Sequence, residues 1–321
     1  MMREQSPDAI QVKGLCKSYG EVRALDGVSF SVRRGELFAY LGPNGAGKTT
    51  TISILSGLLS RDSGQLQVCG VDVAQDPVTV KQKIGLVPEE SNLYPELSCR
   101  RNLLYLGELY GLPREARRDR AAELLALFDL TDRADMRFGA LSRGMKRRLT
   151  VAAALVHSPE VLFLDEPTSG LDVPSAHQLR TLVRSVNQAG TTVLLTTHNL
   201  AEAESLCSRI LILIKGQVVA EGTASDISAR VADVKRLSVL LSERIGEDEL
   251  RAFCPAVQSV SSSDGTWILD VTDTHSALAQ LMSMADSKGL RILRVTNVIP
   301  SLEDAFVAIL KRHGETGETK R

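Results

Sequence analysis

From Glu36 to Arg230, short runs of valine, isoleucine and leucine alternate with longer stretches in which apolar residues return every three or four positions. One run closes at Ala39 to Leu41; others are Ile84 to Val87, Val161 to Leu164, Thr192 to Thr196 and Ile210 to Ile214. Runs this short, apolar on both faces, read as strands buried between helix layers. A helix is predicted from Ser98 to Tyr110, stopped by Gly111 and Pro113. Another runs from near Pro174 to Gly190, with Leu179, Leu182, Val183 and Val186 as its apolar stripe. The alternation predicts an α/β domain with a mainly parallel sheet. Before Glu36 the spacing is shorter and hairpin-like, which predicts a small antiparallel subdomain.

The pattern changes after Val231, so the sequence predicts one domain over residues 1–231 and a smaller α+β domain over 232–313. In the second, Lys235 to Leu241 alternates as a half-exposed strand and Glu247 to Phe253 reads as a short helix. Ala256 to Val260 and Thr266 to Val271 are strands joined by a turn at Ser262 to Gly265. A helix over His275 to Lys288, a strand over Leu290 to Val295 and a helix from Ser301 follow. That order, β-α-β-β-α-β, is ferredoxin-like. Asp304, three residues after Ser301, predicts a capping pair, with aspartate where glutamate or glutamine is usual. Residues 314–321 are polar and predict a frayed tail.

Composition narrows the function. The 321 residues are 43% hydrophobic and 24% charged, with a net charge of −1, so no basic excess marks a nucleic-acid binder. The five cysteines, Cys16, Cys69, Cys99, Cys207 and Cys254, form no CxxC pair, which predicts reduced thiols rather than a zinc site or a disulfide framework. The first ten residues lack an apolar core of signal-peptide kind, and no stretch approaches the ~20 apolar residues that a spanning helix needs. A cytoplasmic chain is expected, with any membrane role supplied by a partner.

Two motifs carry chemistry. Gly42-Pro43-Asn44-Gly45-Ala46-Gly47-Lys48-Thr49, followed by Thr50, fits G-x-x-x-x-G-K-[ST] directly after an apolar strand and before a helical segment. Its glycines let backbone amides turn inward as an anion nest, and the next helix aims its positive end at phosphates. Lys48 is then expected on the β- and γ-phosphates and the Thr49 hydroxyl on Mg²⁺. The second motif is Val161 to Glu166, a strand ending in two acids at the sheet's carboxyl edge. Asp165 is expected in the Mg²⁺ shell and Glu166 as the base that activates water. Acids after a strand are commonly plain loop residues; the P-loop changes their meaning.

With both motifs in place, the first domain resembles the nucleotide-binding domain of ABC transporters. That resemblance implies a P-loop NTPase core with a small antiparallel β subdomain and a helical subdomain. Leu141-Ser142-Arg143-Gly144-Met145 is similar to the LSGGQ signature, with arginine and methionine replacing a glycine and the glutamine. In the family this segment contacts ATP on the opposite subunit, so two subunits enclose two ATP molecules. Ser169 to Asp172 resembles the D-loop, with Asp172 its acid. His198 resembles the switch histidine on the γ-phosphate, and Tyr19 the aromatic that stacks on adenine. Alone, a strand-end histidine or a half-buried tyrosine would be ordinary structure.

One residue departs from the pattern: Glu89 stands where the Q-loop has glutamine, adding negative charge beside the phosphates and the metal. Near the end, Pro300 to Phe306 reads PSLEDAF and resembles the close of a small domain appended to ATPases of type-2 exporters of drugs, antibiotics, polysaccharides or lipids. The resemblance implies an ATPase using ATP and Mg²⁺. It would work as a homodimer, or with a closely related second subunit, on an integral-membrane permease. The permease would dock near Ser91 to Arg101, at the inner face of the membrane. Relatives acting on DNA or ribosomes tend to carry two cassettes, coiled-coil insertions or basic linkers, none of which occurs here. A non-hydrolysing module would not need Lys48, Asp165, Glu166 and His198 together.

Overall fold

The computed structural model describes residues 8–231, 235–243, 245–263, 265–298 and 301–313. The chain divides into two compact units, one ending at Gly222 and the other beginning at Thr223. The first opens with β1 (Asp8–Tyr19), β2 (Val22–Arg33) and β3 (Leu37–Leu41), then α1 (Lys48–Leu55), β4 (Ser63–Val68), β5 (Val71–Asp72), α2 (Pro77–Lys83) and β6 (Ile84–Val87). Three helices follow, α3 (Cys99–Leu109), α4 (Arg114–Leu127) and α5 (Arg143–Ala154). They pack on one another as a helical subdomain. The unit closes with β7 (Val161–Asp165), α6 (Val173–Gln188), β8 (Thr192–Thr197), α7 (Leu200–Leu206), β9 (Arg209–Ile214) and β10 (Gln217–Gly222).

The main sheet has the order β10-β9-β3-β8-β7-β6. Every pair from β9 to β6 is parallel, and only β10 runs against its neighbour. Strands β3 and β7 are buried at every position, as unbroken apolar runs require when helices cover both faces. A second sheet, β2-β1-β4-β5, is antiparallel throughout. The predicted N-terminal hairpin is its β1–β2 half; β4 and β5 arrive from beyond α1 and carry no short-range hairpin signal to β1. Phe30 of that sheet stacks on Phe38 and leans against Tyr40, fusing the two sheets into one core. The Tyr40 hydroxyl meets the Thr51 hydroxyl at 3.2 Å and so fixes α1 against β3.

The parallel topology sets up the site. Strands β3, β6, β7 and β8 all finish on one edge of the sheet, so the segments starting at Gly42, Pro88, Glu166 and His198 leave from that edge together. Ligands of open α/β sheets collect outside such an edge.

The second unit comprises α8 (Ala224–Val231), β11 (Lys235–Leu241), α9 (Glu247–Phe253), β12 (Val257–Ser263), β13 (Thr266–Val271), α10 (Thr274–Lys288), β14 (Ile292–Val298) and α11 (Leu302–Arg312). Its antiparallel sheet has the order β12-β13-β11-β14, in which each β-α-β half is split by a strand of the other. That interleaving is the ferredoxin-like arrangement. Leu237, Val239, Leu269 and Val271 meet Ala277, Leu281 and Met284 of α10 in a separate core. Ser301 and Asp304 form a complete capping box, so aspartate at the third helical position does reach back to the cap amide. Pro300 and residues 314–321 lie outside the described residues.

Two boundaries differ from expectation. The division falls before α8 rather than after Val231, because α8 packs on α11. Apolar periodicity marks α8 as a helix but cannot show which core it joins. Strand β14 begins at Ile292 and ends at Val298, a shift from the predicted Leu290 to Val295. The left-handed Gly289 first terminates α10.

Candidate functional site

The segment Gly42 to Gly47 joins β3 to α1 and wraps the edge of the sheet. Two glycines are needed here for different reasons. A Cβ on Gly42 would run into the backbone carbonyl of Leu213. Gly47 has φ +106°, in the left-handed region, and its Cβ would sit 2.6 Å from the Ala24 carbonyl oxygen. Because Gly47 takes this conformation, α1 starts at Lys48 with its free amides facing the loop, and no side chain caps them. An uncapped helix start is an anion site of the kind phosphates occupy.

Lys48 is 6% exposed. Its Nζ donates to Gly42 O at 2.8 Å and Pro43 O at 3.1 Å, and lies 3.2 Å from Glu166 Oε1. That last contact is a close ion pair without good hydrogen-bond alignment, since Glu166 Oε1 makes no hydrogen bond among the described residues. Glu166, 8% exposed, directs Oε2 to His198 Nδ1 at 2.9 Å. The P-loop lysine, the acid after β7 and the histidine after β8 are thus one chain of contacts. Glu166 itself has φ +44°, a strained conformation for a residue with a Cβ, while its amide donates to Thr196 O and Oγ1.

These residues open on a polar cleft of about 430 Å³. Asn44, Gly45, Gly47, Lys48, Thr49 and Thr50 form one wall, and Glu89, Glu166, Ser169 and His198 face them. Its size suits a small ligand. Glu89 is tethered by Ser169, whose Oγ donates to Glu89 Oε1 at 3.4 Å. The sequence reading did not single out Ser169 for this role, nor Ala24, which also lines the cleft.

Other expected residues stand apart. Asp165 lies behind the wall, buried, with Oδ1 accepting from Thr196 Oγ1 at 2.5 Å. Tyr19 is 51% exposed and outside the cleft lining, with Lys17 Nζ 5.8 Å from its ring centre. Ser142 caps α5, its Oγ accepting from Met145 N at 3.3 Å, and neither it nor Arg143, Gly144 or Met145 lines the cleft. Asp172 caps α6 through Ser175 N at 2.8 Å, and the Ser175 hydroxyl, with that backbone bond beside it, holds its carboxyl below the usual range. The Arg143 guanidinium rests on Gly170 and Ser175 lies under Gly144, so the signature and the D-loop touch within one chain.

Divalent metal can be tested against these donors. Among the described residues no cluster of three or more histidine, cysteine or acidic side chains could cage an ion. Magnesium does not need one, because it keeps several waters and binds through one or two carboxylates together with substrate phosphates. The Thr49 hydroxyl in the cleft, the buried Asp165 carboxylate beside Glu166 and Glu89 in the cleft lining make up a sparse oxygen set of that type.

A buried acid missed in the sequence supports the switch segment. Glu202 of α7 is 1% exposed, and its Oε2 accepts from Thr197 Oγ1 at 2.7 Å, directly before His198. Burial raises its carboxyl above the usual range; the Thr197 and Thr168 hydroxyls oppose this and the Glu166 charge adds to it. The folded chain therefore holds this proton where the unfolded chain gives it up, so stability falls as pH rises from the ordinary carboxylate range toward the raised value. Glutamine keeps the acceptor for Thr197 and carries no charge. Glu202→Gln should melt above wild type at pH 8, with a gap that shrinks toward pH 5 in thermal scans. A pH-independent gap would count against a charged Glu202.

The chain is similar to known proteins along most of its length. Residues 25–169 match the family model described as ABC transporter. The linearmycin resistance ATP-binding protein LnrL of Bacillus subtilis is 37% identical over 311 residues, covering 94% of this chain and 98% of that protein. The Nod factor export ATP-binding protein I of Ralstonia nicotianae is 37% identical, over 96% of this chain and 95% of its own. A dimeric ATP-binding cassette solved in a post-hydrolysis state with ADP and Pi superposes with a TM-score of 0.61 at 28% identity, covering 67% of this chain and 98% of that one. The chain belongs to the ABC transporter family, within its class of ATP-binding proteins. It shares nearly full length with relatives of the resistance and export kind.

Proposed function

We propose that this chain hydrolyses MgATP as one half of a dimer and drives export through a separate membrane permease. The observation that carries the reading is the contact of Lys48 with Glu166 at the mouth of a glycine-built anion nest. Lys48 and the free amides at the start of α1 would bind the terminal phosphates. Thr49, Asp165 and Glu89 would hold Mg²⁺, which when bound offsets phosphate charge. Glu166 would accept a proton from the attacking water, with His198 keeping its carboxylate turned to the cleft. Ser142, Arg143, Gly144 and Met145 sit at the start of α5, where a helix N-terminus favours an anion, and would meet the nucleotide held by the other subunit. Tyr19 would face adenine from outside the phosphate cleft, and Asp172 would report across the dimer.

Relatives named for linearmycin resistance and Nod factor export support outward transport. Among the described residues no helix is long and apolar enough to cross a membrane, which agrees with attachment to the inner membrane face through the permease. Residues 1–222 would be the motor and 223–313 an accessory unit. In inverted vesicles carrying the chain and its permease, MgATP should drive accumulation of a fluorescent amphipathic drug, and EDTA should stop it. Accumulation that is indifferent to EDTA, or ATP turnover without metal, would contradict the reading.

A further inference from the structure

Arg147 lies one turn inside α5, is 7% exposed, and spends every N–H of its guanidinium on a backbone carbonyl. Nε donates to Pro167 O at 2.8 Å. Nη2 donates to Asp165 O at 2.7 Å and Glu166 O at 3.1 Å. Nη1 donates to Glu89 O at 3.0 Å and to Pro88 O. An arginine side chain has five such donors, and here five carbonyls receive them. The carbonyls come from two segments only, the end of β6 and the end of β7, and both present carboxylates to the cleft.

Two features go beyond ordinary packing. The carbonyls of Asp165 and Glu166 bracket the residue with φ +44°, so the guanidinium clamps the twist that turns Glu166 toward Lys48. A strained residue persists only where its surroundings over-determine it. The charge of Arg147 also lies among carboxylates: burial works against the guanidinium, while Asp165, Glu89, Glu202 and Glu166 work for it. Glu89, the acid in the glutamine position, is among those it balances.

We propose that Arg147 is a positioning residue of the nucleotide site, holding Glu89 and Glu166 through their own backbones in register with the signature helix and offsetting their charge. A shift of α5 would then carry both cleft acids with it. The inference rests on the reading that this cleft receives the phosphates of ATP.

Four variants of the full chain test it, Arg147→Lys, Arg147→Gln, Glu89→Gln and the Arg147→Gln/Glu89→Gln pair, with thermal melting, binding of a fluorescent ATP analogue with Mg²⁺ and in EDTA, and steady-state turnover. Lysine keeps the charge but has three donors and no plane, so Arg147→Lys should bind nucleotide within about threefold of wild type while kcat falls at least ~30-fold. Arg147→Gln removes the charge and should weaken nucleotide binding at least ~5-fold. In EDTA, where Glu89 has no metal to hold, adding Glu89→Gln should restore that affinity, because the uncompensated acid is gone. Wild-type kcat in Arg147→Lys, strictly additive effects of Arg147→Gln and Glu89→Gln on affinity in EDTA, or loss of a cooperative melt in both Arg147 variants would overturn the proposal. Glu166→Gln run alongside separates the failures. If it turns over ATP normally, the reading of the cleft is wrong. If it is inactive while the Arg147 variants behave as wild type, only the role of Arg147 is.

Discussion

Glu166→Gln should lower ATP turnover by at least ~10²-fold while leaving MgATP bound, and should shift the chain to a dimer in size-exclusion runs with MgATP. Glutamine fills the same buried space and can still meet His198 and the amide frame around β7. It loses the capacity to take a proton from water, an effect worth about 10²–10⁴-fold for a positioned base. It also removes a negative charge 3.2 Å from the lysine meant for phosphate, so nucleotide affinity should hold or improve. Binding without turnover is the condition under which an ATP-closed pair accumulates. A monomer in saturating MgATP, together with undiminished turnover, would remove Glu166 from the chemistry.

Lys48→Met should weaken ATP binding by about 10²-fold, near 2.7 kcal/mol, and bring turnover to background. Methionine matches the lysine stem in length, so the space beneath the loop stays filled and the Gly42 and Pro43 carbonyls alone lose a donor. The loss also leaves Glu166 buried without its cation. Removing one partner of a buried pair costs about 3–5 kcal/mol in well-enclosed cases, and the His198 contact and the open cleft beside Glu166 reduce that. Calorimetric titration with MgATP reads the first effect and thermal melting the second. Lys48→Met combined with Glu166→Gln should recover the melting temperature but not the binding. Wild-type affinity in Lys48→Met would mean that the phosphates sit elsewhere.

Much of this site was legible because its signals are local. The P-loop needs glycine at fixed offsets between a strand and a helix, and Glu166 and His198 follow apolar runs whose parallel pairing delivers them to one edge. Features made by distant parts of the chain were not legible. The pairing of β4 with β1 joins segments separated by the whole P-loop, and the Glu202–Thr197 bond depends on a helix folding back beneath the switch segment. Arg147 stands in the basic run Lys146-Arg147-Arg148, where nothing local sets it apart; only the fold reveals five carbonyls around it. Tyr19, chosen by resemblance alone, is half exposed and outside the cleft lining. The allegiance of α8 also escaped the pattern, since amphipathic spacing tells that a face is buried and not what covers it.

The split pairing of the second unit bears on how this chain can be shortened. Strand β14, nearly the last element, lies beside β11, nearly the unit's first, and seals one flank of the sheet. A cut after Lys288 would bare the β11 edge and strip α8 of the helix it packs on, leaving sticky, half-built protein. Of these two cuts, a stop at Gly222, which removes the unit whole, is the cleaner design for a minimal motor.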